Sequence, residues 1–217
     1  MPVTISCDFI FHVHELFEQA LRRISYGGVV VEGVNGYTPL AAPAYVSAVA
    51  AVEAWVNEMI LSDMPRAILG KSALDTVPES RLSFTELSMK LLLIPQLAFG
   101  KTLARHEQPY QDMRLLIKLR NELVHYKMAP KRPSCVTDLA QRGIVLKDKR
   151  YIWPHQISCS EGIRWAYNTA CETVLAILDL MPPELLKWAE SVTRHNFRVI
   201  DDQEATVTRL RIAKERT

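Results

Sequence analysis

The stretch Gln111–Lys127, QDMRLLIKLRNELVHYK, decides how the chain is interpreted. Its leucine, isoleucine and valine side chains recur at the three- and four-residue steps of one helix face. It also carries Arg120, Asn121 and His125 in the order R-N-x-x-x-H, followed directly by Tyr126. No other stretch places an arginine, an amide and a histidine so close together on an amphipathic helix. We therefore expect the functional residues to lie in this stretch.

A helical wheel separates the polar residues of this stretch. At about 100° per residue, Asn121 and His125 lie one turn apart on the same face, together with Arg114 and Lys118. Arg120 lies roughly 140° from His125, within the arc that the apolar side chains occupy. Because a buried guanidinium is costly without a partner, Arg120 is expected to find a carboxylate.

Candidate partners for Arg120 lie in a second predicted helix, residues 43–62. This helix is apolar nearly all round, which indicates a central position in the fold. Its acidic exceptions are Glu53 and Glu58. We expect one of these two to be the structural partner of Arg120. The alternative is that both lie on an exposed or dimer-facing strip.

The motif itself has two interpretations. In the structural one, Arg120 serves an ion pair, and Asn121 and His125 are merely solvated. In the functional one, the three side chains bind a phosphate-containing substrate. Histidine titrates near neutrality and can move protons, and arginine binds phosphate as a fork and stabilises its developing charge. This chemistry suits attack of a ribose 2′-hydroxyl on the neighbouring phosphate, which needs no metal.

The run Arg120–His125 resembles the R-x4-6-H motif of HEPN domains, including the polar residue, here Asn121, that often follows the arginine. The resemblance extends over about residues 44–127, including the segments AVEAWVNE and LLLIPQLAFGK. HEPN domains are small α-helical domains. Many are metal-independent endoribonucleases of toxin–antitoxin, abortive-infection or CRISPR-associated systems, and some are inactive scaffolds. The resemblance implies a mainly α fold, a bundle of four to five helices with small irregular or β-hairpin appendages.

The resemblance also implies roles for individual residues. His125 would act as general acid or base, Arg120 would stabilise the phosphorane, and Asn121 would orient a phosphate oxygen or His125. The residues expected to bind the RNA backbone are Arg114, Lys118 and Lys127. The expected products carry a 2′,3′-cyclic phosphate and a 5′-hydroxyl. A homodimer with facing motif helices is implied, as is an antitoxin protein partner if the chain is a toxin. No cofactor or metal is expected.

Two alternatives belong to other functional classes. One is a non-catalytic interaction or dimerisation module, in which the motif stabilises the fold or the dimer. It is favoured by the low net charge of +2 and by the lack of a second candidate catalytic residue. The other is a sensor that binds a nucleotide or another small phosphate ligand on the polar face of the motif helix.

Composition indicates one folded domain. The 217 residues are 48% hydrophobic and 23% charged, which is ordinary for a globular protein. With a net charge of +2, nucleic-acid binding would require a local basic patch. P-loop, H-E-x-x-H, dinucleotide-binding and G-x-S-x-G patterns are absent from the sequence. We assign residues 1–195 to a single helical domain and 196–217 to a charged tail.

Cellular location follows from the cysteines and the N-terminus. The four cysteines form no C-x-x-C pair, which is typical of reduced thiols in a cytoplasmic protein. The N-terminal residues lack the pattern of a secretory signal. The weakly charged stretch 40–61 contains two glutamates, so it is a poor membrane span. We therefore expect a cytoplasmic protein without a membrane segment.

Several local signals predict element boundaries. Asp8 is the expected N-cap of a first helix that runs to residue 26. Ser83 and Glu86 have the S-x-x-E form of a capping box that opens a third helix. Ser160 is the expected cap of a long helix that runs to residue 180, and a shorter helix over 184–194 follows. Candidate hairpins lie at residues 29–37 and 143–153.

Overall fold

The computed structural model describes residues 5–25, 38–61, 63, 67–68, 72–126, 131–146 and 152–201. This part of the chain is mainly α-helical and contains no β-strand, which confirms the predicted mainly α fold class. Its α-helices are α1 (Ile5–Ser25), α2 (Ala41–Val56), α3 (Glu79–Ser83), α4 (Leu87–Phe99), α5 (Tyr110–Val124), α6 (Ser134–Gln141), α7 (Trp153–Gln156), α8 (Ser160–Leu178) and α9 (Pro183–Asn196). A π-helical turn (Asn57–Leu61) extends α2, and a 3-10 turn (Ala73–Thr76) precedes α3.

Helix α2 is the centre of the bundle and packs against α1, α5 and α8. Its sequence explains this position, because small side chains such as Ala44, Ala48 and Ala51 are fully buried and let neighbouring helices approach closely. Trp55 is also buried, and its indole Nε1 donates to the hydroxyl of Thr193 on α9 at 3.1 Å. The central position expected from the all-round apolar pattern is therefore observed.

The N-terminus of α1 is capped from a distance. The helix begins at Ile5, so Asp8 lies inside its first turn, and the prediction of Asp8 as N-cap is wrong. The carboxylate of Glu58, in the π-helical turn, accepts the backbone N–H of Ile5 at 2.7 Å and the hydroxyl of Ser6 at 2.5 Å. A negative charge there satisfies amide groups that the helix itself leaves unbonded.

The predicted capping box at Ser83 and Glu86 does not form. Ser83 is the last residue of α3, and α4 begins at Leu87, one residue after Glu86. Helix α4 then continues through Pro95 and ends at Gly100, whose φ of +72° is the left-handed conformation that glycine adopts readily. The S-x-x-E pattern at Ser83–Glu86 therefore spans the break between α3 and α4.

The C-terminal part of the domain extends further than predicted. The N-cap of α8 is Cys159 and not Ser160, and α9 follows after Pro182. Beyond α9, Phe197 and Ile200 are buried in the core. The side-chain amide of Asn168 binds both the N–H and the C=O of Ile200 at 2.8 Å. The predicted domain boundary at residue 195 is therefore too early, and residues 202–217 lie outside the described part.

The predicted hairpins have different outcomes. Residues 29–37 lie outside the described residues. Of the second hairpin, residues 143–146 are not a strand, and Trp153 opens the short helix α7. The N–H of Leu146 donates to the C=O of Gln156 at 2.7 Å, which ties Leu146 to the end of α7. The prediction of a hairpin over residues 143–153 is therefore wrong for the residues that the structure describes.

The four cysteines are buried and free of disulfides, namely Cys7, Cys135, Cys159 and Cys171. Burial raises the pKa of the Cys159 thiol to about 11, which keeps it protonated at neutral pH. None of the helices in the described part combines the length and the apolar character that a membrane span requires.

Candidate functional site

The motif lies at the C-terminal end of α5. This helix was predicted over residues 111–127 and is observed over Tyr110–Val124, so His125 is the residue that caps its end. The N–H of His125 donates to the C=O of Asn121 at 3.0 Å, which continues the helical bonding by one residue. The helix is held by a buried apolar face that includes Met113, Leu116 and Leu119.

The polar face of α5 lies where the wheel predicts it. Lys118, Asn121 and His125 are exposed, and Arg114 is partly buried. The Arg114 guanidinium lies 5.9 Å from the centroid of the Tyr110 ring, within the range of a cation–π contact. One helix thus presents two cations, an amide and an imidazole along the same side. Lys127, the third predicted RNA-binding residue, lies outside the described residues.

Arg120 is partly buried, and its Nε is a buried donor that no described residue accepts. The two carboxylates predicted to pair with it have other partners. Glu53 binds the Nζ of Lys90 at 3.3 Å, and Glu58 caps α1. The predicted pairing of Arg120 with Glu53 or Glu58 is therefore wrong. The reason is that Lys90, on α4, is itself almost fully buried and takes the carboxylate of Glu53.

Within one chain, the structure does not join Arg120 to His125. No hydrogen bond connects their side chains among the described residues, and one is partly buried while the other is exposed. This agrees with their separation of roughly 140° on the helical wheel. One chain alone therefore does not place both side chains on one phosphate, and such a site needs residues from outside that chain.

Exposed apolar side chains surround the end of α5. Val124 is 57% exposed, Tyr126 39% and Ile152 55%. The Tyr126 ring packs edge-on against Trp153, with the ring centroids 5.6 Å apart. This contact places Tyr126 against α7. We call Val124, Tyr126 and Ile152 the apolar rim.

Glu122 was missed by the sequence analysis. It is exposed on α5, three residues before His125, so the two side chains point to the same side of the helix. Desolvation and, second in size, the charge of Glu122 raise the pKa of the Cys135 thiol on α6. The three-residue spacing from His125 was the signal that could have identified it.

A polar cleft of about 610 Å³ lies near the other end of α5. Two ion pairs line it: Asp112 with Arg142, and Glu161 with Arg164 at 2.7 Å. Glu172 faces the same cleft. Desolvation and then the charge of Asp112 raise the pKa of Glu172 above its ordinary value of 4.5. This cleft was not predictable from the sequence, because its lining residues come from four separate segments.

Metal ligands do not converge at either place. In the described ranges, no group of three histidine, cysteine, aspartate or glutamate side chains is arranged to hold a metal ion. The chain matches no protein-family model, no curated protein and no solved structure, so the case for a function rests on the residues and geometry described above.

Proposed function

We propose that the chain is a HEPN-type, metal-independent endoribonuclease that acts as a homodimer. The observation that carries the proposal is the arrangement of the motif on α5. Asn121 and His125 are exposed at the helix end, while Arg120 keeps a buried Nε–H that no described residue accepts. An arginine with an unused donor, on the same helix as an exposed imidazole, fits a site whose missing partner is a phosphate.

The apolar rim supports a second copy of the chain as the additional element. Exposed apolar side chains grouped beside a polar site are typical of interaction surfaces. In a two-fold dimer the same patch meets itself, so an interface on the apolar rim brings two α5 ends together. Arg120 of one subunit would then approach the partner subunit's His125, and together they would flank one scissile phosphate.

The proposed reaction is a transesterification. A base, assigned to His125, removes the proton from the ribose 2′-hydroxyl, and O2′ attacks the adjacent phosphorus. The new O2′–P bond forms while the P–O5′ bond breaks, and the leaving oxygen takes up a proton. Arg120 would stabilise the charge on the phosphorane, and Asn121 would orient a phosphate oxygen. The products carry a 2′,3′-cyclic phosphate and a 5′-hydroxyl.

Substrate binding would use the rest of the polar face. Arg114 and Lys118 lie on that face at one-turn intervals before Asn121, so they are placed to contact successive backbone phosphates. Such contacts make binding dependent on salt and not on base sequence. As a toxin of the cytoplasm, the protein would require an antitoxin protein to restrain it.

The test is cleavage of RNA by purified protein in excess EDTA. Wild type is compared with Arg120→Ala and His125→Ala, and with His106→Ala as a control that removes an exposed histidine of the loop before α5. We expect His106→Ala to cleave like wild type and His125→Ala to lose about 10²–10⁴-fold, the range of general acid–base catalysis. Circular dichroism checks that each variant is folded.

The rival is a non-catalytic module whose apolar rim binds a partner without cleaving RNA. The exposure of Val124 and Ile152 favours it as much as it favours a dimer. The non-catalytic module is supported if folded wild type leaves RNA intact under all salt conditions and Ile152→Lys abolishes self-association. A rise in melting temperature with a nucleotide, without RNA cleavage, would instead favour a phosphate-ligand sensor.

A further inference from the structure

We infer that α4 and the loop after it form a docking surface for a second copy of this chain, in which Phe84 of each copy enters a groove on the other. This surface lies on a different helix from the apolar rim. The inference therefore does not rest on the proposed nuclease activity or on the dimer that the activity requires.

Helix α4 is apolar on its outward side as well as on its inner side. Leu91 is buried, whereas Met89 and Leu93, one turn apart, are exposed. The single charged residue of α4, Lys90, is buried against Glu53, so the outward face carries no charge. A helix that is apolar all round is normally covered on every side. The outward face of α4 is therefore suited to contact with another molecule.

A groove of about 190 Å³ opens on this face. Its lining comes from α4 and the following loop, and consists of Met89, Leu92, Leu93, Gln96, Thr102 and Arg105. The hydroxyl of Thr102 donates to the C=O of Leu92 at 2.9 Å, which ties the loop to the helix. The groove is smaller than a typical small-molecule site of about 300–1,000 Å³ but larger than a cavity of about 150 Å³ that holds benzene. It therefore fits one aromatic side chain, a common anchor of protein interfaces.

Phe84 supplies an aromatic side chain of this kind. It follows α3 and is 91% exposed, the largest exposed fraction among the large hydrophobic side chains in the described part of the chain. Phe84 and Met89 are five residues apart, a stretch that spans at most about 18 Å. The ring and the groove therefore belong to one patch. Such a patch can meet itself about a two-fold axis, with each ring in the partner's groove.

The charges beside the ring and the groove are complementary. Glu86, two residues after Phe84, is exposed, and it precedes α4 without forming a side-chain capping hydrogen bond. Arg105 is exposed at the groove. Neither side chain has an ion pair with a described residue. With Phe84 in the groove, Glu86 of one copy would approach the partner subunit's Arg105, and the same pair would form twice. Opposite charges at an interface fix its register and its choice of partner.

The size of the surface sets the expected affinity. Burying two phenylalanine side chains removes about 300–500 Å² from water, whereas stable interfaces bury about 1,200–2,000 Å² in total. Met89 and Leu93 add to this area without making the interface large. We therefore expect a weak dimer, with a Kd of the order of micromolar.

The test is sedimentation equilibrium of the full chain over a range of concentrations, in an Ile152→Lys background. That substitution removes the contact proposed for the apolar rim, so the measured mass reports the α4 surface alone. We expect Ile152→Lys to dimerise as its concentration rises. Adding Phe84→Ala should raise the Kd at least about 30-fold, the effect of losing one interface anchor. Adding Phe11→Ala is the matched control, because it removes an exposed phenylalanine of α1, and it should leave the Kd unchanged.

A charge exchange tests the pairing of Glu86 with Arg105 in the same background. Glu86→Lys and Arg105→Glu should each weaken the dimer, because like charges then meet, and the two substitutions together should restore it. The inference is overturned if Ile152→Lys stays monomeric at all concentrations or if Phe84→Ala dimerises like Phe11→Ala. It is also overturned if the combined charge variant dimerises no more tightly than the single ones. RNA cleavage enters none of these measurements, so failure of the nuclease proposal is scored separately.

Discussion

The Nζ of Lys90 lies 3.3 Å from the Oε1 of Glu53, and only 2% of the Lys90 side chain is exposed against 40% for Glu53. The ammonium is therefore the deeply buried partner, and the carboxylate bridges it to solvent. This asymmetry decides which substitution harms the fold more. Removing the carboxylate leaves a charge inside the protein, whereas removing the lysine leaves a carboxylate that water can reach.

Glu53→Gln should lower the free energy of unfolding by about 1–3 kcal/mol, because it leaves the buried ammonium of Lys90 without a compensating charge. Lys90→Met should cost less, because an apolar side chain of similar shape suits the buried position. Urea unfolding at neutral pH measures both, with the exposed Glu107→Gln as control. Wild-type stability in Glu53→Gln would show that the pair contributes nothing.

Thr193→Val should destabilise the protein by about 1–3 kcal/mol, because the buried indole N–H of Trp55 loses its acceptor while the side-chain volume is kept. Thr137→Val, at an exposed position of α6, is the matched control and should change stability little. Chemical denaturation followed by tryptophan fluorescence measures both variants. Equal midpoints for the two would contradict a stabilising role for the Trp55–Thr193 bond.

Gly162→Ala should be among the most destabilising single-methyl additions in the described chain. A Cβ at this position would overlap the Tyr45 hydroxyl oxygen and would lie 3.1 Å from the carbonyl oxygen of Ile157. The Tyr45 hydroxyl donates to that same carbonyl at 2.6 Å, so the methyl would displace a buried hydrogen bond. We expect a loss of about 1–3 kcal/mol or more.

A double-mutant cycle identifies the cause. In a Tyr45→Phe background the conflicting oxygen is gone, so adding Gly162→Ala should cost less than it does in wild type. Thermal unfolding of the four proteins gives the coupling. Strictly additive effects would mean that the methyl group conflicts with the backbone and not with the tyrosine hydroxyl.

The raised pKa of Glu172 predicts a pH dependence of stability. Desolvation and the charge of Asp112 favour its protonated form in the folded state. Between the ordinary value of 4.5 and the raised one, the folded state binds more protons than the unfolded state, so this carboxyl lowers stability as the pH rises through that window. Relative to wild type, Glu172→Gln should therefore become more stable as the pH rises.

Melting temperatures of wild type and Glu172→Gln between pH 4 and pH 8 measure this difference. It should be largest at neutral pH and should shrink at the acidic end, where both folded and unfolded states carry the proton. Glu184→Gln is the control and should not show the same trend. A difference that grows toward acid would give the opposite sign and would reject the assigned shift.

The fold was predictable where the signal was local and periodic. The apolar repeats identified α5 and α2, and the helical wheel correctly separated Arg120 from His125. The helix caps were not predictable, because the group that caps α1 is Glu58, more than fifty residues away. A local S-x-x-E pattern at Ser83 signals a helix start only if the backbone arrives there extended, and here it leaves another helix.

The residue types of the candidate site were predictable from the sequence, but the ion-pair partners were not. The sequence shows that Glu53 is an acidic residue on an apolar helix, but two cations compete for it, and only packing decides that Lys90 takes it. The polar cleft was missed for the same reason. Asp112, Arg142 and Glu172 belong to three helices or their ends and become neighbours only after the bundle assembles.

The π-helical turn at Asn57–Leu61 affects how homologous sequences should be aligned. A π-turn is an α-helix widened by one residue. In a homologue that lacks one residue just before Glu58, α2 would continue as a regular helix, and each later side chain, including that of Glu58, would be rotated by about 100°. The carboxylate of Glu58 would then no longer face Ile5 and Ser6. A one-residue gap in this short segment should therefore be accompanied by a different cap on the first helix. The length of the segment and the capping residues of α1 would then vary together, although they lie more than fifty residues apart.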